Sequence, residues 1–368
     1  MKKLGEVVEL RYGKGIEKSR RVEEGEVPIY GANGILGWTN DELAEGEAII
    51  VGRKGSAGEL TRVSGKFWPS DVTYYVFGTD EVDIDYLFYF WKSANLPRLA
   101  TGVKPGINRN QVYEIEIPVP PIEEQRKIVE KIEKQFAKID EAARLRADSL
   151  AATDQLLPAA LHEIFSEGKQ KGWEVQTLGE ICEIARGGSP RPIQSFLTED
   201  KDGINWVKIS DATSSTKYIY ETKQKIKKEG LTKTRLVKPG DFILTNSMSF
   251  GRPYIMKTTG AIHDGWLLLR PKKNLIEEFM YYFLSSDEVY EQFKRLAGGA
   301  VVQNLNSNLV RSVEIAIPPL AEQKEVVKKL DALSEKARAL RTLQLAQQSD
   351  LAALKQSLLH EAFAGGVE

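Results

Sequence analysis

The chain contains the same ordered segments twice, and this internal repeat constrains its fold more than any other feature of the sequence. The hexapeptide PPIEEQ at 120–125 returns as PPLAEQ at 318–323, and LHEIF at 161–165 returns as LHEAF at 359–363. Both pairs lie 198 residues apart (318 − 120 and 359 − 161), so no insertion or deletion separates the two landmarks in either copy. A repeated segment of fixed length indicates a rigid spacer, which suggests a measuring device between two variable blocks.

The repeat extends over the rest of the chain, but there its spacing varies. LGE at 4–6 returns at 178–180, GEAII at 46–50 resembles GDFIL at 240–244, and YLFYF at 86–90 resembles FMYYF at 279–283. These segments keep their order, whereas their separations differ from one pair to the next. The globular parts therefore accept loop insertions, and surface loops of this kind often carry function.

The two spacers, from about 121 to 166 and from about 319 to 363, are predicted to be long helices. Each opens with a proline pair, which suits the first helical turn, and acidic residues follow where they complement the helix dipole. Apolar residues of the second spacer recur at steps of three and four, as in a coiled-coil seam: Val326, Leu330, Leu333, Ala337 and Leu340. Neither stripe can be buried by one helix alone, so we expect the spacers to pair within the chain. Separate surface helices, or helices that pair only with another chain, are the alternatives.

Three features near the ends of the spacers lead to further predictions. Pro158 should kink or break the first helix, because proline removes a backbone hydrogen bond and clashes with the preceding turn. Gly168 in the first copy and Gly365 with Gly366 in the second are predicted to mark the helix ends. About 45 helical residues would span roughly 65–70 Å.

The segments outside the spacers are predicted to be two similar mixed α+β domains at 1–119 and 168–317, with the spacers at 120–167 and 318–364. Short apolar runs bounded by glycine, asparagine and aspartate are typical of strands, as at 48–51, 73–77, 242–244 and 266–269. An aromatic helix is expected at about 83–96 and again at about 275–296, with its rings in the core. Ile115–Ile117 and Val313–Ile315 are predicted as the last strands before the helices.

Composition narrows the class of protein without naming a partner. The net charge is −1 over 368 residues, whereas a nucleic-acid binder that acts alone is usually basic. A partner would have to supply phosphate contacts, or the basic residues would have to gather on one face. No apolar run is long enough to span a membrane, and the charged first residues are not followed by an apolar segment, so neither a membrane span nor a signal peptide is expected. The lone Cys182 fits a reducing cytoplasm and, as the counterpart of Val8, a buried apolar position.

Polar, glycine-rich loops recur at comparable positions in both halves and are the candidate DNA-binding sites. Arginine and lysine can contact phosphate or guanine, and asparagine, glutamine and serine can contact adenine or backbone. Glycine and asparagine are also what tight turns require, so each loop alone has a structural explanation. The candidates are Tyr12, Lys14, Arg20, Arg21, Tyr30, Asn33, Arg53, Lys54, Ser56, Lys104, Asn108, Arg109 and Asn110 in the first half, and Arg186, Ser189, Arg191, Lys208, Ser210, Asn246, Ser247, Ser249, Arg252, Gln303, Asn304 and Asn306 in the second.

The repeated helix ends offer candidate partner contacts, namely His162, Phe165, His360 and Phe363. The two histidines could instead be solvated residues that complement the helix dipole. No catalytic residue is assigned, because the sequence lacks a phosphate loop, a Cys/His zinc cluster, a dinucleotide fingerprint and the tetrapeptide of amino-methyltransferases. His263-Asp264 has no matching nucleophile and no counterpart in the first half. No metal site is expected.

With these residues in hand, the chain resembles the specificity subunit of type I restriction–modification systems over essentially its full length. The resemblance rests on the paired PPxxEQ openings at 120–125 and 318–323, the LHExF endings and the LGE openings. It also rests on YGANG at 30–34 followed by GRKG at 52–55, and on the QNLN turn at 303–306, from which Pro105 and Gly106 of the first half depart.

The resemblance implies a fold and a set of partners. Each half would be a target recognition domain that reads one part of a split DNA sequence, and the helices would form an antiparallel coiled coil with a pseudo-two-fold internal repeat. The chain would carry no cofactor and no catalysis. It would bind double-stranded DNA and dock two methyltransferase subunits, which use S-adenosylmethionine to methylate adenine N6. Motor–nuclease subunits that use ATP and Mg²⁺ could join them, all in the cytoplasm and in defence against foreign DNA.

Two other classes of function remain open from the residues alone. The chain could be a coiled-coil adaptor with two protein-binding heads, which the Arg/Asn/Gly loops disfavour only by analogy of pattern. It could also be a nuclease or methyltransferase itself, against which the missing motifs argue.

Overall fold

A computed structural model describes residues 1–213, 215, 217–246, 251–272, 275–297 and 305–364. The chain divides into two compact units, and the division runs through the middle of both long helices. Unit 1 consists of Met1–Asp148 with Gln344–Glu368, and unit 2 consists of Ser149–Leu343. Each unit therefore contains one globular half and a part of each long helix, and each is described below by itself.

The globular part of unit 1 is a mixed α+β domain. Its strands and helices, in chain order, are β1 (Lys2–Lys3), α1 (Leu4–Val7), β2 (Arg11–Tyr12), β3 (Val27–Gly31), β4 (Gly34–Thr39), β5 (Ala44–Glu45), β6 (Ala48–Gly52), β7 (Leu60–Val63), β8 (Lys66–Pro69), β9 (Thr73–Phe77), α2 (Ile84–Ala94), α3 (Arg109–Tyr113) and β10 (Glu116–Ile117).

Among the described residues of unit 1, the strands form sheets in the orders β2-β9-β6-β7 and β4-β3-β8-β5, and β1 pairs with β10. The central strand β6 is buried along its whole length, and its neighbour β9 is buried except at its last residue. Runs of β-branched and aromatic residues suit such strands because both faces are covered. The aromatic helix α2 packs on this sheet and completes the core together with Leu4, Leu10 and Val112.

Unit 2 repeats this plan with longer loops. Its described elements up to the second long helix are β11 (Glu174–Thr177), α5 (Leu178–Ile181), β12 (Cys182–Arg186), β13 (Leu197–Thr198), β14 (Ile204–Val207), α6 (Ile209–Thr213), β15 (Tyr218–Ile219), β16 (Gln224–Ile226), β17 (Arg235–Val237), β18 (Phe242–Thr245), β19 (Pro253–Met256), β20 (Gly260–Ile262), β21 (Trp266–Pro271), α7 (Glu277–Leu284), α8 (Asp287–Leu296), α9 (Ser307–Arg311) and β22 (Glu314–Ile317). The first long helix, α4 (Ile122–Gln170), precedes them, and the second, α10 (Leu320–Ala364), follows.

Within the described part of unit 2, the sheet orders are β12-β21-β18-β19-β15 and β13-β16-β14-β20-β17, and β11 pairs with β22. The trio β12-β21-β18 corresponds to β2-β9-β6 of unit 1, and its strands also run antiparallel. The sequence prediction of two similar mixed α+β halves is therefore confirmed.

The long helices pair antiparallel, which confirms the predicted coiled coil. In unit 1 the first part of α4 packs with the last part of α10, where Lys355 forms an ion pair with Asp140 and lies 4.9 Å from the ring centre of Phe136. In unit 2 the last part of α4 packs with the first part of α10, where Arg341 Nε lies 3.1 Å from Asp154 Oδ1. Leu359 is buried in the core of unit 1, and Leu161 and Leu330 are buried in that of unit 2.

The repeated PPxxEQ motif has a structural explanation in its glutamine. Gln125 is fully buried; its Oε1 accepts the Asp83 N–H at 2.9 Å, and its Nε2 donates to the carbonyls of Glu81 and Pro120 at 2.7 and 2.8 Å. Gln323 in unit 2 accepts the Ile276 N–H and donates to the Pro318 carbonyl, both at 3.0 Å. Asp83 and Ile276 are the N-cap residues that directly precede α2 and α7. Each glutamine thus joins the start of a long helix to the start of an aromatic helix.

A second repeated link joins the same elements. The hydroxyl of Tyr89 on α2 donates to Glu133 of α4 at 3.2 Å, and that of Tyr282 on α7 donates to Asp331 of α10 at 2.5 Å. Burial, together with the neighbouring carboxylate, raises the pKa of both phenols, so both stay protonated and continue to donate. The globular half of each unit is therefore tied to its long helix at two points.

Two predictions about the helices are wrong, and a third is wrong in part. Helix α4 continues through Pro158 to Gln170, so the predicted break is absent, whereas the kink stays a prediction. Gly168 lies inside α4 and not at its end; a side chain there would come within 2.2 Å of the Trp173 ring, which explains the glycine by close packing. The predicted aromatic helix at 275–296 is two helices, because Ser286 caps α8 with its side chain and starts a new helix. Gly365 and Gly366 lie outside the described residues.

Candidate nucleic-acid interface

Four loops of unit 1 meet at the ends of β2, β9 and β6, and we call them the first loop cluster (12–15, 53–56, 70–72 and 104–109). Backbone hydrogen bonds hold them together. The Gly13 N–H donates to the Thr73 carbonyl at 3.1 Å, the Arg53 N–H donates to the Val72 carbonyl at 2.8 Å, and the Ile107 N–H donates to the Arg53 carbonyl at 3.0 Å. A side chain on Gly13 would come within 2.0 Å of the Ser70 carbonyl oxygen, so the close approach requires glycine.

The corresponding loops of unit 2 form the second loop cluster (186–191, 246, 263–265 and 305–306) with the same backbone bonds. The Gly187 N–H donates to the Trp266 carbonyl at 2.9 Å, the Asn246 N–H donates to the Gly265 carbonyl at 3.1 Å, and the Leu305 N–H donates to the Asn246 carbonyl at 2.8 Å. Arg53 and Asn246 are therefore equivalent positions, because their backbone groups make the same hydrogen bonds in the two clusters. The side chains around that position differ completely between the two clusters.

The first loop cluster centres on two arginines that flank a tyrosine. The guanidinium carbon of Arg53 lies 5.3 Å from the ring centre of Tyr12, and that of Arg109 lies 4.9 Å from it. Tyr74 packs edge-on against Tyr12 at 5.0 Å, and Tyr113 lies 5.6 Å from the Arg109 guanidinium. Such cation–π contacts contribute about 0.5–2 kcal/mol each. We call Arg53, Tyr12 and Arg109 the arginine stack.

Three lysines lie on the loops that carry the arginine stack. Lys14, Lys54 and Lys104 are exposed, and among the described residues none of them, nor Arg53 or Arg109, has a carboxylate within the salt-bridge distance of 4.0 Å. Lys54 and Lys104 are brought together by the bridge between Lys54 and Gly106. In a chain of net charge −1, the first loop cluster thus carries a patch of five cations together with one exposed acid, Asp71. This matches the second of the two arrangements that the sequence analysis left open for contacts to phosphate.

The other candidates of the first half do not share this environment. Arg20 donates to Asp41 at 2.8 Å and lies over Trp68, so its charge is already paired. Tyr30 is half-buried against Phe67 and its neighbours, and burial raises the pKa of its phenol. Asn108 caps α3, its Oδ1 accepting the Asn110 N–H at 2.9 Å. The remaining candidates, whose side chains are not tied up in such an ion pair, core contact or helix cap, are exposed or half-buried: Arg21, Asn33, Ser56 and Asn110.

The second loop cluster is organised around Asp264, through both its carboxylate and its backbone carbonyl. Ser189 Oγ donates to Asp264 Oδ1 at 2.7 Å, and an Arg191 terminal nitrogen lies 3.8 Å from Oδ2. Arg186 Nε and Asn246 Nδ2 donate to the Asp264 carbonyl at 3.1 and 2.8 Å. The serine hydrogen bond is the main cause of the lowered pKa of Asp264. Four predicted DNA contacts thus converge here, but on an acid of the chain itself.

The prediction that Asn246 contacts DNA is wrong. It is only 3% exposed, and its amide nitrogen and backbone groups are bonded inside the domain. Arg186 and Arg191 remain exposed. Ser247, Ser249, Gln303 and Asn304 lie outside the described residues. Asn306 caps α9, with its Oδ1 accepting the N–H groups of Asn308 and Leu309 at 3.0 Å each.

An open cleft of about 1250 Å³ adjoins the second loop cluster. Ser189, Arg191, Lys208 and Ser210 line it together with Trp206 and His263. Burial is the main cause of the lowered pKa of His263, and its Nδ1 accepts the Gly265 N–H at 2.9 Å. Ser189 donates to Asp264 and not to the histidine, so the three side chains are not arranged as a nucleophilic triad. Arg252 lies elsewhere, 5.3 Å over the ring of Tyr254.

Two of the predicted partner contacts are used inside the chain. Phe165 is 1% exposed and packs edge-on between Phe279 and Phe283 of α7 at 5.7 and 5.3 Å. Phe363 is half-buried between Tyr86 and Phe90 of α2 at 5.1 and 5.5 Å. The repeated phenylalanine therefore anchors a long helix on an aromatic helix. This corrects the prediction for the buried Phe165, whereas the half-buried Phe363 stays a predicted partner contact. His162 and His360 are exposed, and their role as partner contacts stays a prediction.

Sequence reasoning missed the acids and aromatic residues that shape the loop clusters. From the sequence, Tyr74 is placed in a strand, nothing is said of Tyr113, and Asp264 is considered only as half of a possible catalytic pair. Asp264 follows its strand where Asp71 follows β8, and this shared spacing was the available signal. Within the described ranges, no cluster of histidine, cysteine and acidic residues could hold a metal ion, and no described helix is long and apolar enough to cross a membrane.

Comparison with known proteins identifies the family. The family model for the type I restriction modification DNA specificity domain matches residues 1–147 and again 170–348. The chain therefore belongs to the type I restriction–modification DNA specificity family. It is 25% identical to a putative type I restriction enzyme specificity subunit of Haemophilus influenzae, over 86% of this chain and 82% of that protein. It is 23% identical to a putative type I specificity subunit of Mycoplasma pneumoniae, over 90% and 88%.

Solved structures support the fold assignment. The chain superposes with a TM-score of 0.76 and 21% identity on a chain from a study of complex assembly and conformational transition of the type I system, covering 98% of this chain and 96% of that one. It superposes on the HsdS subunit of Thermoanaerobacter tengcongensis with a TM-score of 0.62 and 23% identity, covering 99% and 96%. These relatives are named as specificity subunits of type I restriction enzymes or systems.

Proposed function

We propose that this chain is the DNA-recognition subunit of a type I restriction–modification complex and that each globular half reads one part of a bipartite target. The observation that carries the proposal is the pair of loop clusters. One set of backbone hydrogen bonds is present in both halves, but it carries Arg53, Tyr12 and Arg109 in one and Asn246, Arg186 and Asp264 in the other. A shared scaffold with different side chains is what two different half-sites require.

The antiparallel helices would fix the gap between the two half-sites. Their lengths between the landmark motifs are identical, and each is joined to a recognition domain by a buried glutamine and by a tyrosine–carboxylate hydrogen bond. A domain that is tied at two points has little freedom to turn on its helix. The gap would then depend on helix length and not on a flexible linker.

The partners would be double-stranded DNA, two methyltransferase subunits and, in the full complex, motor–nuclease subunits. The methyltransferase would hold S-adenosylmethionine and the motor–nuclease would hold ATP and Mg²⁺, whereas this chain would hold no cofactor. The patch of five cations is small, so most of the phosphate contacts would come from the partners. DNA binding by the chain alone should therefore be weak and steeply dependent on salt.

A domain exchange tests the proposal directly. Residues 1–119 are replaced by the corresponding part of another family member, the chain is co-expressed with its methyltransferase subunit, and modified adenines are identified by long-read sequencing. We expect one half of the methylated sequence to change while the other half and the gap stay the same. A change in both halves, or methylation without a bipartite sequence, would contradict the proposal.

Lengthening both helices tests the spacing. Seven residues are inserted after Asp148 and seven after Leu343, where the two units divide. One heptad keeps the coiled-coil register and adds about 10 Å, or roughly three base pairs. We expect the same half-sites with a longer gap. The matched control carries seven residues in the β7–β8 turn, between Val63 and Lys66, where no candidate DNA contact lies and the gap should not change.

A further inference from the structure

The arginine stack has the features of a base-reading site and not only of a phosphate contact. Arg53 Nε and Arg109 Nε are both buried without a hydrogen-bond partner among the described residues. The Nε edge of each guanidinium is therefore turned toward the domain, and one face of each guanidinium lies near the Tyr12 ring. The terminal nitrogens are the remaining groups that could donate to a ligand. Arg109 donates one of these to the Leu10 carbonyl at 3.2 Å, whereas the guanidinium of Arg53 makes no hydrogen bond within the described part of the chain.

The position of Arg53 is also fixed through its backbone. Its N–H and its carbonyl are bonded to Val72 and Ile107, and a bridge between Lys54 and Gly106 follows directly. A planar guanidinium held on an aromatic ring loses less conformational entropy on binding than a free side chain would. An exposed lysine can neutralise phosphate without such constraint, and Lys14, Lys54 and Lys104 are available for that task.

We infer that Arg53 reads a guanine in the half-site of the first recognition domain, by donating two N–H groups to O6 and N7 in the major groove. This rests on the proposed function and assigns a specificity-determining residue to it. The forked donors of arginine match these two acceptors, and the pairing is the commonest base-specific contact to DNA. Tyr12 acts as a positioning residue, because its ring lies against the Arg53 guanidinium. Arg109 supports the same ring from a distance of 4.9 Å.

The second recognition domain cannot use the same position. Asn246 takes the place of Arg53 there. Its side chain is buried, and its amide nitrogen donates to the Asp264 carbonyl. A guanine requirement that depends on this backbone position should therefore exist in one half-site only, and changes at Arg53 should leave the other half-site untouched.

The test uses the full chain in complex with its methyltransferase subunit. It measures binding to a series of DNA duplexes in which each guanine of the first half-site is replaced in turn by 7-deazaguanine. This analogue lacks the N7 acceptor. We expect one replacement to weaken binding of the unmodified protein by roughly 5- to 150-fold. Arg53→Ala should bind the normal duplex as weakly and show no further loss with that replacement. Arg144→Lys is the matched control, because Arg144 is exposed on α4 and already paired with Glu141 and Asp148.

Two further variants test the stack itself. Tyr12→Phe keeps the ring and should retain the guanine preference, whereas Tyr12→Ala should lose it although both arginines remain.

The inference is overturned if Arg53→Ala weakens binding to all sequences equally and lowers the salt slope by about one, which is the signature of a phosphate contact. If the unmodified complex recognises no bipartite sequence, the proposed function fails. If it does and no guanine depends on Arg53, the inference alone fails.

Discussion

Single residues decide what each loop cluster can do, because the backbone beneath them is the same. Arg53 and Asn246 share their backbone bonds, yet one lies half-buried in a patch of cations and the other is locked inside the domain. The sequence predicted both as DNA contacts from residue type and loop context. It could not separate them, because burial at a loop position depends on the distant residue that the side chain meets, here Asp264.

Cys182 offers a probe of unit 2, since it is the only cysteine of the chain and is 3% exposed. Burial raises the pKa of its thiol to about 12, so almost no thiolate forms in the folded protein at neutral pH. We expect a thiol reagent at pH 8 to modify the folded chain very slowly and the urea-unfolded chain stoichiometrically. Rapid modification of the folded chain would contradict this, and Cys182→Val should show none in either state.

The same raised pKa predicts a dependence of stability on alkaline pH. The unfolded thiol ionises near its ordinary value of 9.0, whereas the folded one does not until about 12. The contribution of Cys182 is therefore complete below pH 9 and is lost as the pH rises toward 12. Urea unfolding at pH 8 and pH 10 should show a smaller loss of stability in Cys182→Val than in the unmodified chain. Equal losses would mean that the thiol is not titrating with unfolding.

At the scale of elements, the sequence predicted the long helices within a few residues, because their motifs and apolar period are local signals. The sequence-based prediction of helix boundaries was wrong where tertiary packing determines them. Gly168 was read as a helix end, but it is a point of contact with Trp173 inside α4. The split between α7 and α8 at Ser286 was also missed, since the aromatic pattern continues across it.

The buried glutamines should contribute most of the fixed geometry between a recognition domain and its helix. Gln125→Ala leaves the Asp83 N–H and two carbonyls without their partner, and Gln323→Ala does the same at the Ile276 N–H and the Pro318 carbonyl. We expect each to lower the free energy of unfolding of its own unit by about 1–3 kcal/mol, because buried polar groups lose their hydrogen bonds.

Urea unfolding with hydrogen exchange would locate the loss in unit 1 or unit 2. Glu124→Ala, a neighbouring exposed residue on α4, is the control and should change stability by less than about 0.5 kcal/mol. A similar loss in this control would show that the glutamines have no special role.

At the scale of the whole molecule, each unit is completed by a helix end that comes from the other half of the sequence. Phe165→Ala should destabilise unit 2 by about 3–5 kcal/mol, because its ring is fully buried. Phe363→Ala should destabilise unit 1 by less, because its ring is half-exposed. Hydrogen exchange should lose protection in α7 for the first variant and in α2 for the second. Leu145→Ala, exposed on α4, serves as the control, and loss of protection in the opposite unit would contradict the assignment.

The position of Phe363 against α2 has a consequence for synthesis on the ribosome. The first 148 residues emerge early, but unit 1 also includes Gln344 and the residues after it. At a translation rate of about 5–20 residues per second, the nascent domain waits roughly 10–40 s for its last helix. A premature stop codon late in the gene would therefore damage the domain that was made first and leave the one made second nearly whole.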